Sequence, residues 1–408
     1  MGENFFWTSH DFLKRILHDS KKDSQISIRK SIIENANGKG DSYTSRLFRI
    51  TIKSDNPVEK NTFFVKVLPD EGILRDLIVQ SSSFSNEIKI YRETLPQMNK
   101  VLAHGAPQKF RNLGPECYYI SSAEEPLVII MEDMREKGYL MANRRKGLNL
   151  EHCLLVMKTI ARFHASSIAA HADNASSIEN YTTNLFFEES SEHFWKKYFK
   201  TTMITVAEVV RKWENFGDRF AEKLRARAES FRDDFVSVMS AKDDTFKVLV
   251  HGDLWVNNVL FHYDENNGKP DDAMLIDFQF CFFTSPGVDL QNFLHSSPTE
   301  HVPINHSDEL LREYHKELCE TLQLLGLGHR TIEFHHLLEE YEKKSLCGAF
   351  AALYCLPVIL SEPSDAFDFE SALRDQMDED AVVRRTINEE YAGVLKRLLL
   401  EFEKKGVI

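Results

Sequence analysis

The 408-residue chain is short of several things, and each shortage removes a class of function. Basic residues are in deficit: 50 Lys and Arg stand against 63 Asp and Glu, a net charge of −13. No broad positive surface remains to neutralise phosphates, so neither a nucleic-acid binder nor a basic membrane-surface protein is expected. The six cysteines (117, 153, 281, 319, 347 and 355) are scattered, with no CxxC pair and no metal-ligand spacing. In a chain this long they read as free thiols of a reducing compartment. The longest apolar stretch, Cys347–Leu360, is too short to span a bilayer and contains Pro357. The opening MGENFFWTSHDFLKR has no apolar signal core, and Phe6 stands where a myristoylation motif wants Ser or Thr. A cytoplasmic protein with no nucleic-acid and no membrane partner is the expectation. No repeat of roughly 20–50 residues is visible, which removes solenoids and propellers.

What is present supports a folded, two-part chain. Hydrophobic residues make up 42%, with 29 Phe and 12 Tyr, which excludes a disordered polymer. At about 150 residues per domain the length suits two or three domains, or two lobes around one site. The first third reads mainly as strand. Arg46–Ser54 and Thr62–Leu68 alternate polar and apolar residues, and Asp55-Asn56-Pro57 between them signals a hairpin turn. A helical pattern then runs through Phe84, Glu87, Ile88 and Tyr91 and is expected to close at Pro96. Leu127–Met131 reads as a buried strand ending in Glu132-Asp133-Met134. Helical periodicity dominates from Leu150 onward, over 150–170, 190–240, 307–325, 331–347 and 381–404. One β insertion interrupts it: Val248–Val250, then Val259–Tyr263 and Ala273–Ile276 around a turn at Asn267-Gly268. The expected fold class is α+β and two-lobed, with a strand-rich N-lobe over 1–134, a mainly helical C-lobe over 135–408, and a ligand cleft between.

The chemistry is densest in VHGDLWVNNVLF (250–261) and MLIDFQF (274–280). Together they hold His-x-Asp-x-x-x-x-Asn (His251, Asp253, Asn258) and an aspartate, Asp277, at the end of an apolar strand. Phosphoryl transfer needs a carboxylate to align an acceptor hydroxyl and take its proton, and oxygen ligands for Mg²⁺ on the phosphates. Asp253, Asn258 and Asp277 supply that inventory, and the intervening hairpin can bring the two metal ligands together. Each residue alone has a plainer reading: Asp253 as a turn cap, Asp277 as a strand-end turn residue, His251 as a hydrogen-bonded structural histidine. Their order and spacing favour the joint one. An aspartate near its ordinary pKa would already be ionised for the task.

With GKGDSYTS, FVKVLP and FxxExxxY upstream, the HGDLWVNN…LIDFQ signature resembles the ecdysteroid kinase-like family. These are relatives of choline and aminoglycoside kinases within the protein-kinase-like fold, and the likeness runs from about residue 30 to 400. The resemblance implies an ATP- and Mg²⁺-dependent O-kinase of a small molecule. It makes Asp253 the catalytic base, His251 its orienting neighbour, and Asn258 and Asp277 the metal ligands. Lys66 in FFVKV would meet the nucleotide phosphates. A lysine inside an apolar strand is costly without an anion, although an edge-strand lysine can also snorkel to water. Glu87, on a helical face with Phe84 and Tyr91, would hold that lysine; a boundary glutamate in solvent is the alternative. Gly38, Gly40 and Ser42 would cover the nucleotide, with Tyr43 where a protein kinase has its third glycine; an ordinary hairpin turn would explain them as well. Glu132 and Met134 would border the adenine through their backbone. Phe278-Gln279 after Asp277, in place of Phe-Gly, argues against a protein-kinase-style regulatory flip. Asp289, after Ser285-Pro286-Gly287, reads as a structural helix-start residue.

The acceptor side is less legible. Rings crowd 181–213 (Phe186, Phe187, Phe194, Trp195, Tyr198, Phe199), and Phe280, Phe282 and Phe283 follow Asp277. At helical spacing they suit a core, and near the site they suit a flat apolar alcohol such as a steroid. A polar alcohol of choline or aminoglycoside type, which for a quaternary ammonium would need a cage of rings, is the runner-up. A non-catalytic binding protein of the same fold is the third reading.

Overall fold

In the computed structural model, strands β1 (Ile28–Asn35), β2 (Arg46–Ser54), β3 (Lys60–Val67), β4 (Cys117–Ile120) and β5 (Val128–Glu132) form one antiparallel sheet, ordered β1-β2-β3-β5-β4. The described residues are 5–22, 26–36, 45–55, 58–106, 109–121, 126–182, 192–240, 246–362 and 387–408. The expected hairpin is β2–β3, with Leu47 opposite Lys66 and Arg49 opposite Phe64. Successive side chains face opposite sides of a strand. Phe63, Val65 and Val67 of β3 therefore join Val128 and Ile130 of β5 on one face. Phe64 and Lys66 share the other with Ile129 and Met131.

The first face is covered by helix α1 (His10–Lys21), which the strand-dominated reading of the first third did not anticipate. Its apolar residues Phe12, Leu13, Ile16 and Leu17 recur at helical spacing and are all buried against the strands, with Trp7 beside them. Each such burial contributes on the order of 1.5–3 kcal/mol. The Ser9 side chain caps the helix by accepting from the Phe12 N–H at 3.4 Å.

On the second face, helices α2 (Ile73–Gln80) and α3 (Ser83–Lys89) put Ile78 and Phe84 into one core with Ile129 and Met131. The helical pattern does not stop at Pro96. The chain passes from α3 through a π-turn, Ile90–Thr94, into α4 (Leu95–Gly105), with Pro96 in the first turn of α4. Leu95 N–H donates to the Ile90 carbonyl five residues back, and this wider turn accommodates the N–H that proline lacks.

After β5 come α5 (Leu150–Asp173), α6 (Ser176–Glu179), α7 (Glu192–Val210), α8 (Gly217–Arg227) and α9 (Phe231–Met239). They are followed by α10 (Gly287–Ser296), α11 (His301–Leu324), α12 (Phe334–Lys343), α13 (Ser345–Phe350), α14 (Leu356–Ile359) and α15 (Glu389–Lys404). The expected helical stretch 190–240 is three helices. Asn215 takes a positive φ of 74°, and a Cβ at Gly217 would lie 2.6 Å from the Val210 carbonyl oxygen, so the chain must turn there. Short strands interleave the helices: β6 (Tyr139–Met141), β7 (Val248–Val250), β8 (Val259–Tyr263), β9 (Pro270–Leu275) and β10 (Phe282–Thr284). β8 and β9 are the expected hairpin, joined on its outer side by β6, while β7 pairs with β10. Helix α5 packs along α11. Among the described residues no helix is long and apolar enough to cross a membrane.

Candidate active site

Four separate stretches of chain bring charged side chains together. Lys66 points off β3 on the face opposite α1 and is 4% exposed. Its Nζ lies 2.6 Å from Glu87 Oε2 on α3 and 2.8 Å from Asp277 Oδ1 just past β9. Burial pulls the Lys66 ammonium down, but the carboxylates of Asp277 and Glu87 outweigh it and the net direction is up. Lys66 therefore stays a cation. Glu87, 1% exposed, is pushed up to about 7 by burial, against the pull of Lys66. With two carboxyls facing one ammonium, the more deeply buried one carries the desolvation cost.

Asn258 and Asp277 are neighbours through strand register. Val259 opposes Leu275 at the end of the β8–β9 ladder, and the Ile276 N–H then donates to the Asn258 carbonyl at 3.0 Å. Asp277 is one residue further and takes a left-handed conformation (φ 66°), uncommon for a non-glycine residue and often found at functional sites. The Asn258 Nδ2 donates to both the main-chain oxygen and Oδ2 of Asp253, each at 2.8 Å. Asp253 also accepts a hydrogen bond from the Trp255 side chain. Removal from water, and then the charge of Asp277, push the Asp253 carboxyl up to about 7. That departs from the ordinary aspartate value assumed from sequence, because burial cannot be read from a motif.

His251 is fully buried. Its Nε2 donates to the Ile276 carbonyl at 2.9 Å, and its ring packs 5.2 Å from that of Phe278. Burial holds this imidazole below the usual histidine range, hence neutral. The ring thus steadies the residue before Asp277 and does not line an open surface. Phe278 also meets Tyr91 edge-on at 5.6 Å and stacks on Phe163 at 5.8 Å, so the segment after Asp277 is wedged into the core.

One residue read as merely structural does more. Asp289, fully buried in the first turn of α10, accepts the backbone N–H groups of His251 (2.7 Å) and Gly252 (2.9 Å), one on each oxygen. It anchors the loop that carries Asp253 from 36 residues further along the chain, at a spacing no local pattern marks. Gly252 has φ 78°, and a Cβ there would lie 2.1 Å from the Phe280 carbonyl oxygen, so only glycine fits.

Other expected residues lie outside this cluster. Gly38, Gly40 and Ser42 fall outside the described residues. Glu132 pairs with Lys137 at 2.6 Å, and Met134 is buried beside Tyr139 and Met274. Between them, Asp133 accepts from Arg49 Nε at 2.5 Å, tying the end of β5 back to β2. Of the clustered rings, Trp195, Phe199 and Phe282 are core, with Phe199 stacked 5.6 Å from Phe350. Phe194, Tyr198, Phe280 and Phe283 are half-buried, and Phe186 and Phe187 are not among the described residues.

The model of the ecdysteroid kinase-like family matches residues 39–327 of the 408. The chain belongs to that family. A comparison with curated proteins found no match. The matched span of this ecdysteroid kinase-like chain holds Lys66, Glu87, His251, Asp253, Asn258, Asp277 and Asp289, while α12 to α15 lie beyond it. Kinase-like phosphotransfer to a small molecule is what membership supports.

Proposed function

We propose that the protein is an ATP- and Mg²⁺-dependent kinase that phosphorylates a hydroxyl of a small hydrophobic alcohol, ecdysteroid-like in shape. In this reading residues 1–134 and 135–408 act as two lobes, with Lys66 and Glu87 contributed by the first and Asp253, Asn258 and Asp277 by the second. The observation that carries it is the convergence of those five side chains from strand, helix, loop and hairpin on one spot.

The residues suit the metal. Glu87 and Asp277 face one ammonium, and Asp253 in turn feels the charge of Asp277, so carboxyls outnumber the cation and a hard cation would offset the excess. Asn258 spends its Nδ2 on Asp253, which leaves Oδ1 for an ion, and Asp277 spends Oδ1 on Lys66, which leaves Oδ2. One carboxylate and one amide oxygen, completed by phosphate oxygens and water, is the kind of set Mg²⁺ takes. When bound, the ion would neutralise charge building on the transferred phosphoryl group.

The chain's own groups supply the rest. Lys66, kept cationic and held by Glu87, meets the nucleotide phosphates. Asp253 lines up the acceptor O–H and takes its proton, and a carboxyl poised near neutrality is matched to that exchange. Asn258 and Trp255 fix its oxygens. In this reading the acceptor enters beside Trp255, whose side chain bonds Asp253, and toward Cys355, where burial and then the Asp253 carboxylate push the thiol up. A flat alcohol would then meet the ring cluster in which Tyr198 and Tyr354 lie 6.2 Å apart.

The test is Mg·ATP turnover against steroid alcohols, choline and aminoglycosides, with Asp253→Asn beside the wild type. Transfer to a hydrophobic alcohol is expected. In Asp253→Asn it should fall roughly 10²–10⁴-fold, about 3–5 kcal/mol on the barrier, with ATP binding retained. Turnover within about threefold of wild type would remove Asp253 from the mechanism. Binding without transfer to any alcohol would favour the non-catalytic reading.

A further inference from the structure

One buried hydroxyl close to the site has no part in it so far. Asn258, whose amide oxygen is proposed for the metal, ends a tight turn, Val256–Asn258, in which its own N–H donates to the Trp255 carbonyl at 2.9 Å. The first N–H groups of such a turn find no partner within it, and a side-chain oxygen on the residue before normally takes one. Here that residue is Trp255, whose indole carries a donor and no acceptor, and it makes no capping bond. The acceptor comes instead from 41 residues along the chain: Ser297 Oγ takes the Val256 N–H at 3.0 Å. Val256 and Ser297 are both buried.

Ser297 directly follows α10, and several bonds fix it before it touches the turn. Its N–H donates to the Phe293 carbonyl at 3.1 Å, which closes the end of the helix. Its carbonyl accepts the Leu148 N–H, and the Leu148 carbonyl accepts the Thr299 N–H, each at 2.9 Å. Beside this short parallel bridge Gly147 takes φ 66°, and a Cβ there would lie 2.9 Å from the Thr299 nitrogen, so glycine lets the two segments meet. A serine at a helix end often folds its hydroxyl back onto a carbonyl of its own last turn. The Ser297 hydroxyl lies 3.0 Å from that of Ser296, which can take its proton and leave a lone pair for the Val256 N–H.

We infer that Ser297 is a positioning residue for the metal: by capping the Val256–Asn258 turn from outside, it fixes where the Asn258 side chain stands relative to Asp277. Its consequence for Mg²⁺ use rests on the kinase reading; the capped turn itself does not. The far end of the turn is held already, since Asn258 gives its Nδ2 to Asp253 and its carbonyl to the Ile276 N–H. The start of the turn, at Val256, is what neither Asp253 nor the β8–β9 hairpin reaches. A partner behind a metal ligand is typically worth roughly 10–100-fold in metal affinity or activity.

The experiment uses the full chain with Ser297→Ala, Ser297→Thr and Ser297→Val. Threonine and valine are alike in shape, so their difference reads the acceptor oxygen and not the fit of the side chain. The free Mg²⁺ concentration for half-maximal turnover should rise roughly 10–100-fold in Ser297→Ala and Ser297→Val, and stay within about threefold of wild type in Ser297→Thr. Binding of metal-free ATP should not change in any of them. Hydrogen exchange over 255–259, measured without nucleotide or metal, should speed up in Ser297→Ala and Ser297→Val and keep its wild-type rate in Ser297→Thr. An unchanged Mg²⁺ requirement in Ser297→Ala overturns the inference; with faster exchange it leaves the serine a structural cap only. An equal loss in Ser297→Thr and Ser297→Val also overturns it, because packing is then the cause. If the wild type phosphorylates no alcohol, the kinase reading fails, and the exchange rates alone decide whether Ser297 holds the turn.

Discussion

Replacing Lys66 with methionine tests the buried charge arrangement, because the cost can be worked out and has a pH signature. Lys66 Nζ sits between Glu87 and Asp277. The Asp277 side chain is 25% exposed and can be met by water, but Glu87 is 1% exposed and cannot. Without the ammonium, Glu87 must be carried as a bare buried anion, at roughly 3–5 kcal/mol, or take up a proton. Protonation sets the ceiling. Glu87 already stands at about 7 beside its cation, against a usual 4.5, and loses its main counterweight in the variant. The wild type already bears the cost of holding it neutral up to its own folded value near 7, so the variant separates from it only above that pH, by at most about 1.36 kcal/mol per unit. A folded-state pKa raised above the unfolded one means the penalty is absent below about pH 4.5 and grows as pH rises toward the folded value. Relative to wild type, the proton-linked loss in Lys66→Met should therefore be negligible at pH 5, under about 0.5 kcal/mol at pH 7 and about 1.4 kcal/mol at pH 8, rising further with pH. Adding Glu87→Gln should remove the rise of that loss with pH, since no carboxyl then has to be held neutral or bare. Turnover should stay lost in both variants, because the phosphates still lack Lys66. Chemical denaturation at pH 5, 6, 7 and 8 reads the stabilities. A pH-independent loss in Lys66→Met, or no rescue by Glu87→Gln, would refute the idea that these residues compensate each other's burial.

Three further outcomes are expected. Asn258→Ala should abolish the Mg²⁺ dependence of ATP turnover while leaving the melting temperature close to wild type; near-normal Mg²⁺-supported turnover would remove it from the metal site. Gly252→Ala forces a Cβ to 2.1 Å from the Phe280 carbonyl oxygen at a left-handed φ. It should be destabilised by more than about 1 kcal/mol and lose turnover, measured by denaturation and phosphate transfer, whereas Gly268→Ala, with open space at its Cβ, should keep turnover. Glu401, 3.4 Å from His295, is drawn down to about 2, chiefly by its hydrogen bond to that ring, with burial opposing. A depressed carboxyl stabilises above its unfolded pKa near 4.5 and loses that contribution as pH falls toward 2. Glu401→Gln should therefore lower stability at neutral pH and flatten the acid limb of the stability curve; an unchanged limb would count against the pairing.

Local pattern carried far in this chain. Alternation at Arg46–Ser54 and Thr62–Leu68 determined the β2–β3 hairpin, and therefore which face Lys66 shares, because period two in sequence is period two in space. The two short strands around the turn at Asn267-Gly268 sufficed to predict that Asn258 and Asp277 come together, since a hairpin returns its ends to each other. The helix at His10–Lys21 escaped notice because its apolar face is only four residues and lies in a stretch otherwise rich in strand. Proline breaks an α-turn, so Pro96 predicts a stop; a π-turn, invisible in a periodicity of 3.6, lets the helix continue.

What only the tertiary structure decided is whatever depends on distance between remote segments. The 2.6 and 2.8 Å contacts that make Lys66 a shared partner of Glu87 and Asp277 link residues 21 and 211 positions apart. The rise of Asp253 to about 7 comes from burial and from a neighbour 24 residues away, neither of which is a property of the motif. Asp289 looked like a helix start because its neighbours on the chain say so. Its hold on the loop after β7 appears only when α10 packs against that loop, because hydrogen bonds are set by where atoms meet and not by how far apart they lie in sequence.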